Sequence, residues 1–316
     1  MYLKKLAIAA FLVATATGYA GAADLPVKAA ASPPLAPPFF FVNDNTLEYS
    51  YRFTATDPGV GVTPKNLVTF THFDVWAYGT NFFTVSWLRS TSNDPAINPL
   101  APGGGIGVGT GTSEIYGLFR STFGFNEISN TKMFSMGPLT DISLEVGADA
   151  NASNGGILSG KTDVVAGLDF SFALPYKGHF ELSPLFYKEW QHSQFAGIPS
   201  ESLDFTGTWA LETVYAMPLG FLPPSIPLTF SGYANFYGPK GSGGGFVGVG
   251  GNQTTTEFHS EQRISLDVGK VMGGRPGMFS VFGGYRYWTH KFGIASSTLI
   301  PFTTESTWIT GATIAF

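Results

Sequence analysis

The sequence predicts an all-β chain: a transmembrane antiparallel β-barrel of about twelve strands in up-and-down meander order. Three observations predict it. Apolar and polar residues alternate through segments of about 10–13 residues, longer than the ~5–6 of an ordinary strand. Only 12% of residues are charged while 15% are aromatic and Gly numbers 40, and a soluble domain would carry roughly twice that charge. After the first stretch, no apolar run approaches the ~20 residues of a membrane helix. A large secreted β-sandwich is the competing reading, since its strands alternate in the same way.

Met1 to Ala22 reads as a signal peptide: Lys4 and Lys5 precede an apolar run from Leu6 to Thr17, and Ala20-Gly21-Ala22 offers a small-residue cleavage site. Its removal leaves 15 basic against 22 acidic residues. No basic run points to nucleic acid. The chain has no cysteine, so hydrogen-bond ladders and burial must hold it. Residues 23–43 form an Ala/Pro-rich leader, with Pro26, Pro33, Pro34, Pro37 and Pro38 breaking any helix. Phe39-Phe40-Phe41 is read as an anchor near the barrel mouth. The barrel is expected over 44–316.

The strands follow in order. Leu47–Phe53 alternates Leu47, Tyr49, Tyr51 and Phe53 with Glu48, Ser50 and Arg52. Leu67–Gly79 sets Phe73, Val75 and Ala77 against His72, Asp74, Trp76 and Tyr78. Phe82–Ser90 is the third strand, and the loop 91–111 is rich in Gly, Pro and Asn. Ser113–Phe125 opposes Ile115, Phe119 and Phe123 to Glu114, Tyr116 and Arg120. Thr140–Ala150 interleaves Asp141, Ser143, Glu145 and Asp149 with Ile142, Leu144, Val146 and Ala148. Thr162–Leu174 repeats this with Asp163 and Asp169. Phe180–Gln191 contains Pro184, which weakens its register. Asp204–Met217, Leu228–Tyr237, Thr255–Lys270, Met278–His290 and Ser306–Phe316 complete the set. The last has no charge, and its Trp308, Thr310, Ala312, Ile314 and Phe316 share a face. A free apolar edge there would aggregate, whereas pairing with the first strand leaves none. Connections after odd strands are mostly long and those after even strands shorter, which puts both termini at the periplasmic rim.

In such a barrel the apolar faces meet lipid and the polar faces line the lumen. The predicted lining carries Glu48, Asp74, Glu114, Asp141, Glu145, Asp149, Asp163, Asp169, Glu212, Glu257, Glu261 and Asp267. Its cations are Arg52, Arg120, Arg263 and Arg286, with His72, His259 and His290. Trp76, Tyr78, Tyr116, Tyr233, Tyr237 and Trp288 add aromatic rings. An acidic lining admits cations or neutral polar solutes and disfavours anions. The densest segment is Glu257–Asp267, where Glu257, His259, Glu261, Arg263 and Asp267 share one face. Cross-strand ion pairs and solute hydrogen bonds are the expectation there. His259 has no second histidine at a metal-ligand spacing, so no metal is expected.

No catalytic residue and no cofactor are expected. His192-Ser193 point to opposite faces of a strand edge, and no Gly-x-Ser-x-Gly is present. The triple glycines at 103–105 and 243–245 lack the Lys and helix of a phosphate loop.

Residues 44–49 (Asp-Asn-Thr-Leu-Glu-Tyr), Phe73-Asp74-Val75-Trp76-Ala77-Tyr78-Gly79, and the Ser113–Asn151 hairpin with its Phe125-Asn126 and Met136-Gly137-Pro138 turns carry a resemblance. On these motifs the chain resembles the Tsx-like nucleoside channel family of outer-membrane proteins, at low similarity over most of the mature chain. The resemblance implies a monomeric barrel with a narrow pore passing nucleosides. The expectations are therefore a passive outer-membrane channel for small polar solutes, in contact with lipid, or alternatively a structural or adhesive barrel with a closed lumen. The C-terminal Phe316 looks like the signal read by the barrel assembly machinery.

Overall fold

The computed structural model describes residues 39–94, 111–154, 159–193, 198–241, 253–297 and 300–316; the expected signal peptide and the leader through Pro38 lie outside them. The strands are β1 (Phe40–Asp57), β2 (Gly61–Trp76), β3 (Gly79–Ser90), β4 (Ser113–Gly124), β5 (Leu139–Ser153), β6 (Ser159–Leu174), β7 (Gly178–Ser193), β8 (Ile198–Asp204), β9 (Thr208–Pro218), β10 (Leu228–Tyr237), β11 (Glu257–Asp267), β12 (Phe279–Thr289) and β13 (Glu305–Ala315). Two short helices, α1 (Phe125–Ser129) and α2 (Val268–Val271), sit in the turns after β4 and β11.

Twelve of these strands form a closed antiparallel meander. Each pairs with its sequence neighbour, β7 passes over β8 to pair with β9, and β13 returns to β1 with Thr46 opposite Ala315 and Arg52 opposite Ile309. The last strand therefore closes the ring; it starts one residue before the expected Ser306, at Glu305, its one charged residue. β8 is the addition: it pairs with β7 alone, so it flanks the wall without entering it. The expected strand over 204–217 divides accordingly, β8 ending at Asp204 and β9 starting at Thr208. β1 starts at Phe40, four residues ahead of the expected barrel boundary at Asp44. Phe39 lies just before it and stacks on Trp76 at 6.2 Å. The rim holding the start of β1 and the end of β13 carries the turns 77–78, 125–138, 175–177, 219–227 and 268–278. The opposite rim carries the connections 58–60, 91–112, 154–158, 194–207 (which includes β8), 238–256 and 290–304, which are mostly longer.

Side-chain polarity around this ring is inverted relative to a water-soluble β-domain. Leu47, Phe83, Trp87, Ile115, Phe119, Leu144, Phe186, Trp209, Ile264, Trp308 and Ile314 are exposed on the outside. Asp149, Asp163, Glu189, Glu212, Glu261, Arg286 and Glu305 are buried within. Soluble domains avoid contiguous exposed apolar surface, and charges are almost never buried unless paired. Lipid outside and ion-paired groups inside satisfy both constraints. Outer aromatic pairs lie toward both rims: Phe236–Phe258 and Tyr285–Trp308 on one side, Phe172–Phe180 and Tyr215–Phe230 on the other. The polarity excludes the sandwich reading.

Strict register fixes every face and corrects part of β2. Asp149 pairs with Leu118, Leu118 with Thr84, and Thr84 with Thr71, so Thr71 shares the inner face of Asp149. β2 pairs with β3 without a bulge from Lys65 to Trp76, so Lys65, Leu67, Thr69, Phe73 and Val75 point inward. His72, Asp74 and Trp76, expected in the lumen, face outward, and Tyr78 lies exposed in the turn beyond. The cause is local. Near the rim the outer face meets the polar interface, where aromatic and hydrogen-bonded polar groups are stable. Asp74 is satisfied there by Asn81 Nδ2 at 2.9 Å and His72 Nε2 at 3.1 Å, while Asn45 bonds the other His72 nitrogen. Alternation alone had assigned the polar set to the lumen.

Candidate functional site: a charged lumen

The central feature of the lumen is Arg120 on β4. Its Nε and Nη2 donate to the two oxygens of Glu212 on β9 at 3.0 and 2.8 Å, and its Nη1 donates to Asp149 on β5 at 2.5 Å. Glu145 stands 3.7 Å away. Tyr116 donates to Asp149 at 2.7 Å and Tyr237 to Glu212 at 3.1 Å. Between β4 and β9 the wall runs through β5, β6 and β7, so the Arg120–Glu212 pair crosses the lumen as a chord. Glycine at 147 makes room for it: a Cβ there would stand 2.5 Å from Arg120 Cδ. The planar guanidinium suits this bidentate grip.

A second set lies on the walls of β11–β13 and β1. Arg263 donates to both oxygens of Glu48 (2.5 and 3.1 Å) and to Glu261 at 2.7 Å. Its guanidinium stacks 4.2 Å above the ring of Phe282. Arg286 donates to Glu305 at 2.7 Å, Glu261 at 3.3 Å and the Tyr233 hydroxyl at 2.6 Å. The same hydroxyl is hydrogen-bonded to His259 Nε2 at 2.8 Å. Trp288 donates to Glu257 at 2.6 Å. Its ring is occupied by its own neighbours, with His259 stacked at 4.5 Å, Lys291 at 4.5 Å and Phe292 edge-on.

The third set approaches the rim opposite the termini. Lys240, from the β10–β11 connection, donates to Glu189 on β7, which also accepts from Tyr187 and Gln191. Lys161 pairs with Asp163 at 2.9 Å. Asp163 is fully buried, and its Oδ1 has no hydrogen-bond partner. Lys291 donates to the Thr56 carbonyl at 2.7 Å and to Glu305 at 3.3 Å. Leu203 on β8, Phe205 just after it, and Ile294 and Ile300 from the β12–β13 connection form an apolar cluster. Thr206 N donates to Lys240 O and Thr255 N to Gly293 O. These connections are knitted into a partial roof, which both lysines pin from below.

The remaining predicted residues are placed as follows. Glu114 pairs with Lys65 at 3.4 Å. Asp169 accepts from Ser171 and Ser183. Asp141 accepts the Asn126 backbone N–H at the turn. Asp267 caps α2, accepting from Lys270 N and Gly277 N, and so serves the turn at the rim. His290 contacts the Thr256 carbonyl. Reading the sequence missed Lys65, Lys161, Glu189, Lys240, Lys291 and Glu305. Glu189 and Lys161 were legible by continuing the alternation of their strands. Lys240 and Lys291 lie in connections, where no period marks a side chain as inward.

No family model matches this chain, and no curated protein matches it. Among solved structures it is similar to an outer membrane channel from Pseudomonas putida F1, at 10% identity and a TM-score of 0.44, covering 91% of this chain and 100% of that one. It is also similar to the translocator domain of the autotransporter NalP from Neisseria meningitidis, at 10% identity and a TM-score of 0.41, covering 87% and 88%. A third is Pseudomonas aeruginosa OccK7, at 11% identity and a TM-score of 0.29, covering 87% and 97%.

Proposed function

We propose that this barrel is a passive outer-membrane channel for small polar solutes, with nucleosides the leading cargo and no catalytic role. One observation carries the reading: an apolar, aromatic-flanked exterior encloses a lumen of carboxylates, guanidiniums and tyrosines. The inner faces of β5, β6, β7 and β9 carry Asp141, Glu145, Asp149, Asp163, Asp169, Glu181, Glu189 and Glu212. Lys161 is the cation on those faces among the described residues. Such a wall favours cations and hydroxyl-rich neutral solutes over anions. The nucleoside assignment rests on the sequence resemblance, and its partners would be outer-membrane lipid and, through Phe316, the assembly machinery.

The test is conductance of refolded protein in planar bilayers with a panel of solutes. Discrete channels that nucleosides block in a saturable way are expected; conductance indifferent to nucleosides removes the cargo assignment. A second reading, a structural barrel with a closed lumen, is favoured by the Arg120–Glu212 chord and the partial roof. Under that reading no conductance is seen with the intact chain.

A further inference from the structure

The luminal cations are paired with near completeness, and Arg52 is the exception. It points inward from β1, opposite Ile309 on one side and Lys65 on the other. Its electrostatic neighbours are Arg286, Glu305, Glu261 and Tyr233. Four carboxylates of this region are committed at both oxygens, and a fifth, Glu114, reaches Lys65 through one oxygen. Glu48 is held by Arg263, Glu261 by Arg263 and Arg286, and Glu305 by Arg286 on one oxygen and by Lys291 with the Thr56 N–H on the other. Asp57 is held at both oxygens by Lys65. Lys65, Arg263, Arg286 and Lys291 are each held by one or more of these acids, whereas Arg52 makes no hydrogen bond or ion pair with any described residue.

Two further facts bear on this unpaired charge. Arg52 sits directly across the strands from Lys65, and like charges so placed repel. Lys65, Arg286 and Lys291 are buried, whereas Arg52 remains partly exposed in the lumen. An accessible guanidinium with five donors and no acceptor lacks only an oxyanion that presents two oxygens to its fork, as a carboxylate or a phosphate does. A half-buried cation without a hydrogen-bonded counterion has lost part of its hydration, so a bound oxyanion returns free energy there.

We propose that Arg52 forms a luminal subsite for the carboxylate or phosphate group of a small solute. This rests on the solute-channel reading and refines it: within an acidic lumen, one wall takes the anionic end of a solute while the β5–β9 wall faces its neutral or cationic part. Binding is measured without requiring conduction, by titration calorimetry of the detergent-refolded protein with inorganic phosphate, with acetate, and with chloride as a spherical control. Saturable binding of phosphate or acetate is expected, with chloride at least tenfold weaker, and the stronger of the two oxyanions names the group. Arg52→Gln should weaken that binding at least tenfold. Arg52→Lys, which keeps the charge and loses the fork, should fall between. No oxyanion binding by the wild type, or equal affinity in wild type and Arg52→Gln, overturns the subsite. Binding in a protein that shows no conductance would leave the subsite standing and remove the channel reading.

Discussion

Arg120 shows what one residue can and cannot disclose in a sequence. Its inward face follows from two-residue alternation with Tyr116 and Glu114. Its partner does not, because Glu212 lies 92 residues away and their meeting depends on the closure of the whole ring. Removing the cation strands three carboxylates, Glu145, Asp149 and Glu212, in a buried site. Arg120→Ala is therefore expected to lose about 3–5 kcal/mol in denaturant unfolding of the refolded barrel, and Glu212→Gln less, since the amide still accepts one guanidinium bond. Gly147→Ala should lower stability too, because its Cβ would stand 2.5 Å from both Arg120 Cδ and the Phe119 carbonyl oxygen. If Arg120→Ala unfolds at the wild-type denaturant concentration, the chord is not a structural tie.

Single strands were legible to different degrees for a physical reason. β5 and β6 keep one polarity rule along their whole length, and their faces agree with the alternation. β2 changes its rule near the rim, where the outer face leaves hydrocarbon for the interface, and only its hydrogen-bond register with β3 settles the matter. Because the chain has no native cysteine, single cysteines can check this. Thr71→Cys should react with a water-soluble thiol reagent through the lumen, and Phe70→Cys only with a lipid-soluble one. The reverse pattern would place β2 the other way round. The turn holding α1 offers a second check. Desolvation beside Asp141 raises the Glu127 carboxyl above its ordinary range. A raised folded value means that the protonated form is favoured in the folded turn. Lowering pH through the region just above the usual ~4.3 should then tighten residues 125–138, read as slower amide exchange there, and Glu127→Gln should flatten that dependence.

For the molecule as a whole, composition and strand length sufficed to predict the class, the meander and the ring. They could not reach the pairing within the lumen or the roof, which are built from residues in different strands and from connections without a period. The surplus of carboxylates predicts a channel that prefers cations, seen as a reversal potential of the matching sign under a salt gradient. A preference for chloride would contradict the wall assigned here. The seam between β1 and β13 has a consequence of another kind, in the order of events during folding. Every other wall contact joins strands close along the chain, but this one joins the first strand to the last, so its loop-closure entropy is the largest of the set. Hairpins can zip from either side, yet until β13 arrives both β1 and β12 present bare edges to any neighbour. The slow and vulnerable step is thus the last stitch, and a chain shortened before Glu305 should accumulate as aggregate while hairpins nearer its start still form.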